Sequence, residues 1–310
     1  MSQRDQAYHR IEHRRRMQAA RRKKQKRRQI IIIVLALIIT ALLVFMCRLQ
    51  SSSKPADPIN DNQLPSASGS FDHVDITPHT NDSEELRELK KLAQDYPNVK
   101  KIIANMDAYS PELITLALKN HEAIDFVANY PTNHKLHPEI DLSDEAAMNQ
   151  VPLLLQWDER WGYEEYGSGL VGWTGCGPTC MAMLVLYLTG DDSWNPANIA
   201  QWAEANGYYS SGNGTAWIFM SEGCRHFGLR AEVLPLVKQY ILNALDQGRP
   251  VVCAMAPGDF TSSGHYIILT GYDKDGFTVN DPNSPIRSSQ HWPYEKIESQ
   301  ISNLWAFSKA

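Results

Sequence analysis

A chain of 310 residues with 43% hydrophobic residues and a formal charge of -5 has room for one or two globular domains. The average conceals an asymmetry: the first 28 residues hold 12 Lys/Arg against Asp5 and Glu12, about +10, which leaves about -15 for the remainder. This excludes a uniformly charged surface and puts the two ends of the chain in different surroundings.

In chain order, residues 1–29 read as a basic tail that carries the block RRKKQKRR. Ile30 to Cys47 follow as 18 residues without charge or proline, enough at about 1.5 Å per residue to cross most of a hydrocarbon core of about 30 Å. Only Arg48 follows closely, so the positive-inside rule expects a single-pass helix with a cytoplasmic N-terminus and an extracytoplasmic remainder. A cleaved signal is disfavoured by the long basic region and the missing small-x-small site, and lipidation at Cys47 by Met46 before it. Next to a spanning segment, topology and anionic lipid account for the basic block, so no nucleic-acid partner is expected. No further apolar stretch of spanning length occurs after it.

Residues 48–81, rich in Ser, Pro, Asp and Asn, are expected to be a flexible linker. From 82 to 135 apolar residues recur at helical spacing. Asp82 with Glu85 resembles a capping box, Ser110-Pro111 a helix start, and Tyr96-Pro97, Tyr109 to Pro111 and Tyr130-Pro131 mark breaks. Short helices are expected, packed on the C-terminal part of the chain, because about fifty such residues bury too little alone.

The stretch 151–310 has the composition of a compact domain. GPTCMAMLVLYLTG reads as an apolar helix closed by Gly190, and NPANIAQWAEANG and TAWIFMSEGCRHFG as helices that start at Asn195-Pro196 and Gly214-Thr215. LRAEVLP, PVVCAMA, HYIILTGYD, GFTVND and NLWAFS read as strands, VKQYILNALDQG as an intervening helix, and Asp273 to Gly276 as a hairpin turn. Helices followed by antiparallel strands define an α+β domain.

Cys176 lies at the first turn of the apolar helix, where unpaired N–H groups and the macrodipole bring a thiol of pKa about 8.5 toward thiolate. Gly175 and Gly177 permit close backbone approach there. His265, at the mouth of a strand, can supply a base. Asp281, sixteen residues on and across the hairpin, can orient its ring, although the strand register is not readable. Cys224 and Cys253 sit in apolar patterns, which disfavours disulfides. The Cys176–Cys180 spacing matches neither a four-ligand zinc site nor a CxxC redox pair, so neither metal nor cofactor is expected.

VPLLLQWDERWGYEEYG, GCGPTCMAM, GHYIILTGYD and NDPN, in this order, resemble the papain-like cysteine peptidases of clan CA, family thirty-nine, whose best-known members cleave double-glycine leaders from bacteriocin precursors. The resemblance covers about residues 151–307 and is nearer to the free-standing branch of bacterial surfaces than to the transporter-fused one. It implies a papain-like fold, Cys176 as nucleophile, His265 as general base and acid, Asp281 as orienting carboxylate, Cys180 as a bystander, and a peptide or protein substrate. In the family pattern a glutamine shortly before the cysteine helps to bind the oxyanion. Leu170 stands six residues ahead and cannot donate, so Gln156 is the substitute. Two alternatives keep the shape: a cell-wall peptide amidase or acyltransferase with the same triad, and a binding module without turnover, whose groove the aromatic stretch from Trp194 to Trp217 would line.

Overall fold

The computed structural model describes residues 71–212 and 214–310. The expected basic tail, the 30–47 span and the linker up to residue 70 lie outside the described residues. Among the described residues no helix is long and apolar enough to cross a membrane.

Four helices come first: α1 (Glu84–Leu92), α2 (Val99–Ala104), α3 (Pro111–Lys119) and α4 (Ile124–Asn133). They bury Leu89, Ile102, Leu113 and Val127 in one cluster. Ser110 caps α3 by accepting the Leu113 N–H at 3.4 Å, with Pro111 next, as the sequence leads one to expect. The other cap differs. Ser83, not Asp82, accepts the Leu86 N–H at 3.2 Å to open α1, because the Asp82 carboxylate is committed to Lys90 at 3.0 Å and to the His79 N–H at 2.7 Å. Lys90 also donates to Thr77 O at 2.9 Å, so residues 71–81 are tied to α1 rather than forming the end of a free linker. Nor does Tyr130-Pro131 break α4. The proline falls in its last turn, where one lost backbone bond is tolerated, and the Tyr130 ring stacks on His134 at 4.4 Å.

The chain continues through α5 (Ser143–Ala146), the two-residue strands β1 (Glu165–Tyr166) and β2 (Gly169–Leu170), α6 (Val171–Thr174), α7 (Cys176–Thr189) and α8 (Pro196–Ala205). The small pair β3 (Tyr209–Ser210) and β4 (Gly214–Thr215) precedes α9 (Trp217–Ser221). The single helix expected over 215–228 is broken. Thr215 belongs to β4, and after α9 a 3-10 segment, Gly223–Phe227, takes over. At the break a Cβ on Gly223 would lie 2.8 Å from the Phe219 ring; the tighter turn that glycine allows buries both Cys224 and Phe227.

The remaining elements are β5 (Leu229–Val233), α10 (Lys238–Asp246), β6 (Val251–Met255), β7 (His265–Asp273), β8 (Gly276–Asn280), α11 (Pro285–Ser288), β9 (His291–Trp292), α12 (Tyr294–Ile297) and β10 (Ile301–Lys309). The six longer-range strands form one antiparallel sheet in the order β5-β10-β6-β7-β8-β9. Every residue of β6 is buried, the mark of a strand covered on both faces. Val252 and Ala254 join the cluster that contains Met181 and Leu184 of α7, whereas Val251, Cys253 and Met255 join the one that contains Ile241 of α10. Mixed helix and sheet therefore sandwich this strand, and α7 lies along one face of the sheet.

The four N-terminal helices pack on this domain within one compact unit. Phe126 of α4 stacks on Tyr163 at 4.4 Å, and the Tyr163 hydroxyl donates to Phe126 O at 2.8 Å. Burying two such rings stabilises the contact by about 1.5–3 kcal/mol each. The approach is close: a Cβ on Gly162 or Gly172 would stand 2.7 or 2.6 Å from the Phe126 ring, which only glycine avoids.

Candidate active site

Cys176 is the first residue of α7, and no side chain caps that end, so first-turn N–H groups are left to favour negative charge around the sulfur. The thiol is half-buried. The other three cysteines among the described residues are buried free thiols. Burial pushes Cys180 well up and Cys224 up to about 11, and raises Cys253 as well. Cys180 Sγ donates to Tyr266 O at 3.5 Å and serves packing. The glycines beside Cys176 have a different use from the expected one. A Cβ on Gly175 would meet Val171 O at 2.5 Å and one on Gly177 the Thr215 hydroxyl at 2.5 Å, so both serve internal close packing rather than access for a substrate carbonyl.

His265 opens β7, buried, and its Nε2 lies 2.7 Å from Oδ1 of the fully buried Asp281, just past the end of β8. With Nε2 engaged, Nδ1 is the ring nitrogen left free, and Cys176 lines the same cleft as His265. Burial pulls the imidazolium down, but the Asp281 charge and hydrogen bond, together with Cys176, outweigh it and push His265 up to about 10. Asp281 responds oppositely. Burial alone would raise it, yet His265 and Arg287 hold the carboxyl below its usual value.

Sequence reasoning missed Arg287. Its Nε donates to Asp281 Oδ2 at 2.5 Å, while Oδ1 also accepts the Asn283 N–H at 2.8 Å. Asp281 is thus buried with three donors, which offsets the cost of desolvating a carboxylate. The usable signal was Ser284-Pro285, a helix start: Ser284 caps α11 by accepting the Arg287 N–H at 3.0 Å, and one helical turn brings Arg287 back over Asp281.

Gln156 is buried, and its Nε2 donates to Gly172 O at 3.0 Å in α6, four residues ahead of Cys176. Its backbone N–H donates to Pro282 O at 2.7 Å, which ties it to the Asp281 side as well. Its Oε1 is buried without a partner, and Gln156 does not line the cleft.

That cleft, of about 840 Å³, contains Cys176 and His265 and is walled by Trp173, Tyr209, Trp217 and Gly264. Apart from His265 no ionisable Lys, Arg, Asp or Glu lines it among the described residues. Of the aromatic stretch singled out in the sequence, Tyr209 and Trp217 reach the cleft, whereas Trp202 stacks on His226 at 4.2 Å beside Phe227.

A thiol at a helix start and an imidazole that line one cleft, with a buried carboxylate bonded behind the imidazole, form the kind of site found in thiol hydrolases. The chain belongs to the Peptidase_C39 like family, whose model matches residues 148–309, and membership supports a peptidase function. The crystal structure of the peptidase domain of Streptococcus ComA, a bifunctional ABC transporter involved in a quorum-sensing pathway, is 17% identical with a TM-score of 0.37, and the match covers 53% of this chain and 100% of that one. A Bacillus anthracis protein described as a C39-like peptidase is 18% identical with a TM-score of 0.34, covering 53% and 96%. No curated protein matches the chain in sequence.

Proposed function

We propose that this protein is a cysteine peptidase that hydrolyses peptide bonds with Cys176 as nucleophile, His265 as general base and acid, and Asp281 as the orienting carboxylate. The observation that carries this reading is the 2.7 Å His265–Asp281 hydrogen bond behind a ring that shares one cleft with Cys176 at an uncapped helix start. The Cys176 sulfur attacks the scissile carbonyl carbon. The carbonyl electrons move to oxygen, and His265 passes its proton to the departing amine as the tetrahedral intermediate collapses to a thioester. Water, deprotonated by His265, then releases the acid and restores the thiol.

The oxyanion is held by backbone N–H at the start of α7, while Gln156, buried behind the cleft with its Nε2 on Gly172 O, steadies α6 ahead of Cys176. Replacing Gln156 by Ala leaves Gly172 O without its donor and is expected to cost about 1–3 kcal/mol of stability, read from urea midpoints.

The uncharged cleft fits a peptide with neutral side chains around the scissile bond, aromatic or small, rather than a wall stem peptide rich in ionised groups. The domain acts outside the cytoplasm, anchored by the apolar segment 30–47 with the basic tail inside, a reading supported by the charge pattern of the chain.

The test uses the full chain purified in mild detergent. Iodoacetamide at near-neutral pH is expected to alkylate Cys176 at least about 100-fold faster than Cys180, Cys224 or Cys253. Cleavage of neutral fluorogenic peptides is expected to vanish in Cys176→Ala. Equal activity, or equal inactivity, of the native and alanine proteins across peptide and wall substrates would overturn the assignment.

A further inference from the structure

We infer that the N-terminal helices are a positioning element for the active site: Asn120 and Glu122, in the turn between α3 and α4, hold the loop 282–288 in the shape that presents Asp281 to His265. The inference rests on the proposed pairing of those two residues.

The last strand pair on this side is Ile268 with Asn280, so sheet hydrogen bonds do not reach Asp281 or the loop after it. Yet that loop supplies every partner of the carboxylate except His265. Asn283 N–H and Arg287 Nε donate to its two oxygens, and Ser288 Oγ accepts the Asp281 N–H at 2.9 Å. Something else must fix the loop.

Gln156 N–H to Pro282 O at 2.7 Å, Trp157 Nε1 to Asn283 O at 3.2 Å and Trp292 Nε1 to Arg287 O at 2.9 Å hold it in part, and the α3–α4 turn adds four bonds. Asn120 Nδ2 donates to Asn283 O and to Asn283 Oδ1, both at 2.9 Å. Glu122 Oε1 accepts the hydroxyl of Ser284, which is 1% exposed, and Glu122 Oε2 accepts the Ile286 N–H at 2.9 Å. The Ser284 oxygen also accepts the Arg287 N–H, so the residue bonded to Glu122 is the cap that orients Arg287. The chemistry calls for a carboxylate, because two donors converge on the two oxygens. An amide would set its own N–H₂ against one of them. The chain of contacts therefore runs from Glu122 to Ser284, Arg287, Asp281 and His265, which lines the cleft with Cys176. Glu122 is a positioning residue that touches no reacting atom.

The test follows the His265 imidazole by NMR titration of the ¹⁵N-histidine-labelled full chain, its signal assigned with His265→Gln. The ionisable groups facing this ring are Asp281 and Cys176, with Arg287 behind Asp281 and Cys180 below on α7. Glu122→Ala is expected to lower the His265 midpoint by about one unit or more in the native background and by no more than a few tenths when Asp281 is already Asn. Alkylation of Cys176 by iodoacetamide should slow about tenfold in the first case and not further in the second. If Glu122→Ala does not fold, as judged by circular dichroism, Glu122→Gln is read in the same cycle, with a smaller shift of the same sign.

No shift, or the same shift in both backgrounds, would overturn the positioning role. A His265 midpoint that is unmoved by Asp281→Asn itself would overturn the pairing beneath it. If the midpoint moves with both residues but no substrate is cleaved, the hydrolase reading falls while the positioning role stands.

Discussion

His265 Nε2 and Asp281 Oδ1 meet at 2.7 Å although Asp281 lies past the end of β8, and β7 carries one extra residue, Thr270, on the way between them. Near the hairpin turn Gly271 pairs with Thr278, and beyond it Leu269 pairs with Val279 and Ile268 with Asn280, which leaves Thr270 unmatched. With Thr270 kept but paired, the turn's own register would set Val279 across from Thr270 and Asn280 across from Leu269, moving the end of β8 one residue along β7 relative to His265.

Deletion of Thr270 should therefore keep the pairs on both sides of it, Gly271 with Thr278 and Leu269 with Val279, and with them hydrolysis and the fast alkylation of Cys176. Peptide cleavage alongside near-ultraviolet circular dichroism checks it. A folded deletion variant without activity would contradict the register argument.

The His265–Asp281 pair sets a pH dependence. A histidine raised to about 10 contributes stability that is fully present below its ordinary value of 6.5 and is lost as pH rises through about 10. The proposed pairing of the Cys176 sulfur with imidazolium has the same alkaline limit. In Asp281→Asn the alkaline limb of kcat/KM should move down toward 6.5, and the fall in unfolding temperature between 6.5 and 10 should flatten. Profiles of rate and Tm against pH in the two proteins decide this.

Asp281 works in the other direction. Its lowered value means a contribution present above 3.8 and lost as pH falls through the depressed folded value. Arg287→Ala removes one cause of the depression and leaves Asp281 Oδ2 without its guanidinium. It should cost about 1–3 kcal/mol near neutral pH, with less of the stability gap left to lose on acidification. Urea midpoints measured from pH 7 to pH 3 provide the comparison.

Packing of the helices on the domain is testable at one contact. Phe126→Ala should cost about 3–5 kcal/mol, and Gly172→Ala about 1–3 kcal/mol by driving a methyl into the Phe126 ring. The double variant should be more stable than the sum of the two losses implies, because the alanine then enters space that the ring has vacated. Additive losses would show that the two positions are not in contact.

Much of the fold was legible because local patterns report local structure. HYIILTGYD became β7 over its whole length, and the apolar helix that ends at Gly190 formed as read, with glycine in the left-handed region at φ 71°. Where readings failed, a tertiary contact outweighed a local preference: Lys90 took Asp82 away from its cap, and Thr215 left the helix start to bond the Tyr166 hydroxyl at 2.9 Å.

The active-site residues divide in the same manner. By itself the sequence determined a cysteine at the first turn of an apolar helix, and a histidine and an aspartate at the far ends of one hairpin, since helix starts and turns are written in neighbouring residues. Only the tertiary structure decided the bulge at Thr270, the recruitment of Arg287 and the grip of Glu122 on the Ser284 loop. Each joins parts of the chain whose meeting depends on how strands shift and helices dock, and the Glu122 contact spans 162 positions, far beyond the reach of any local pattern.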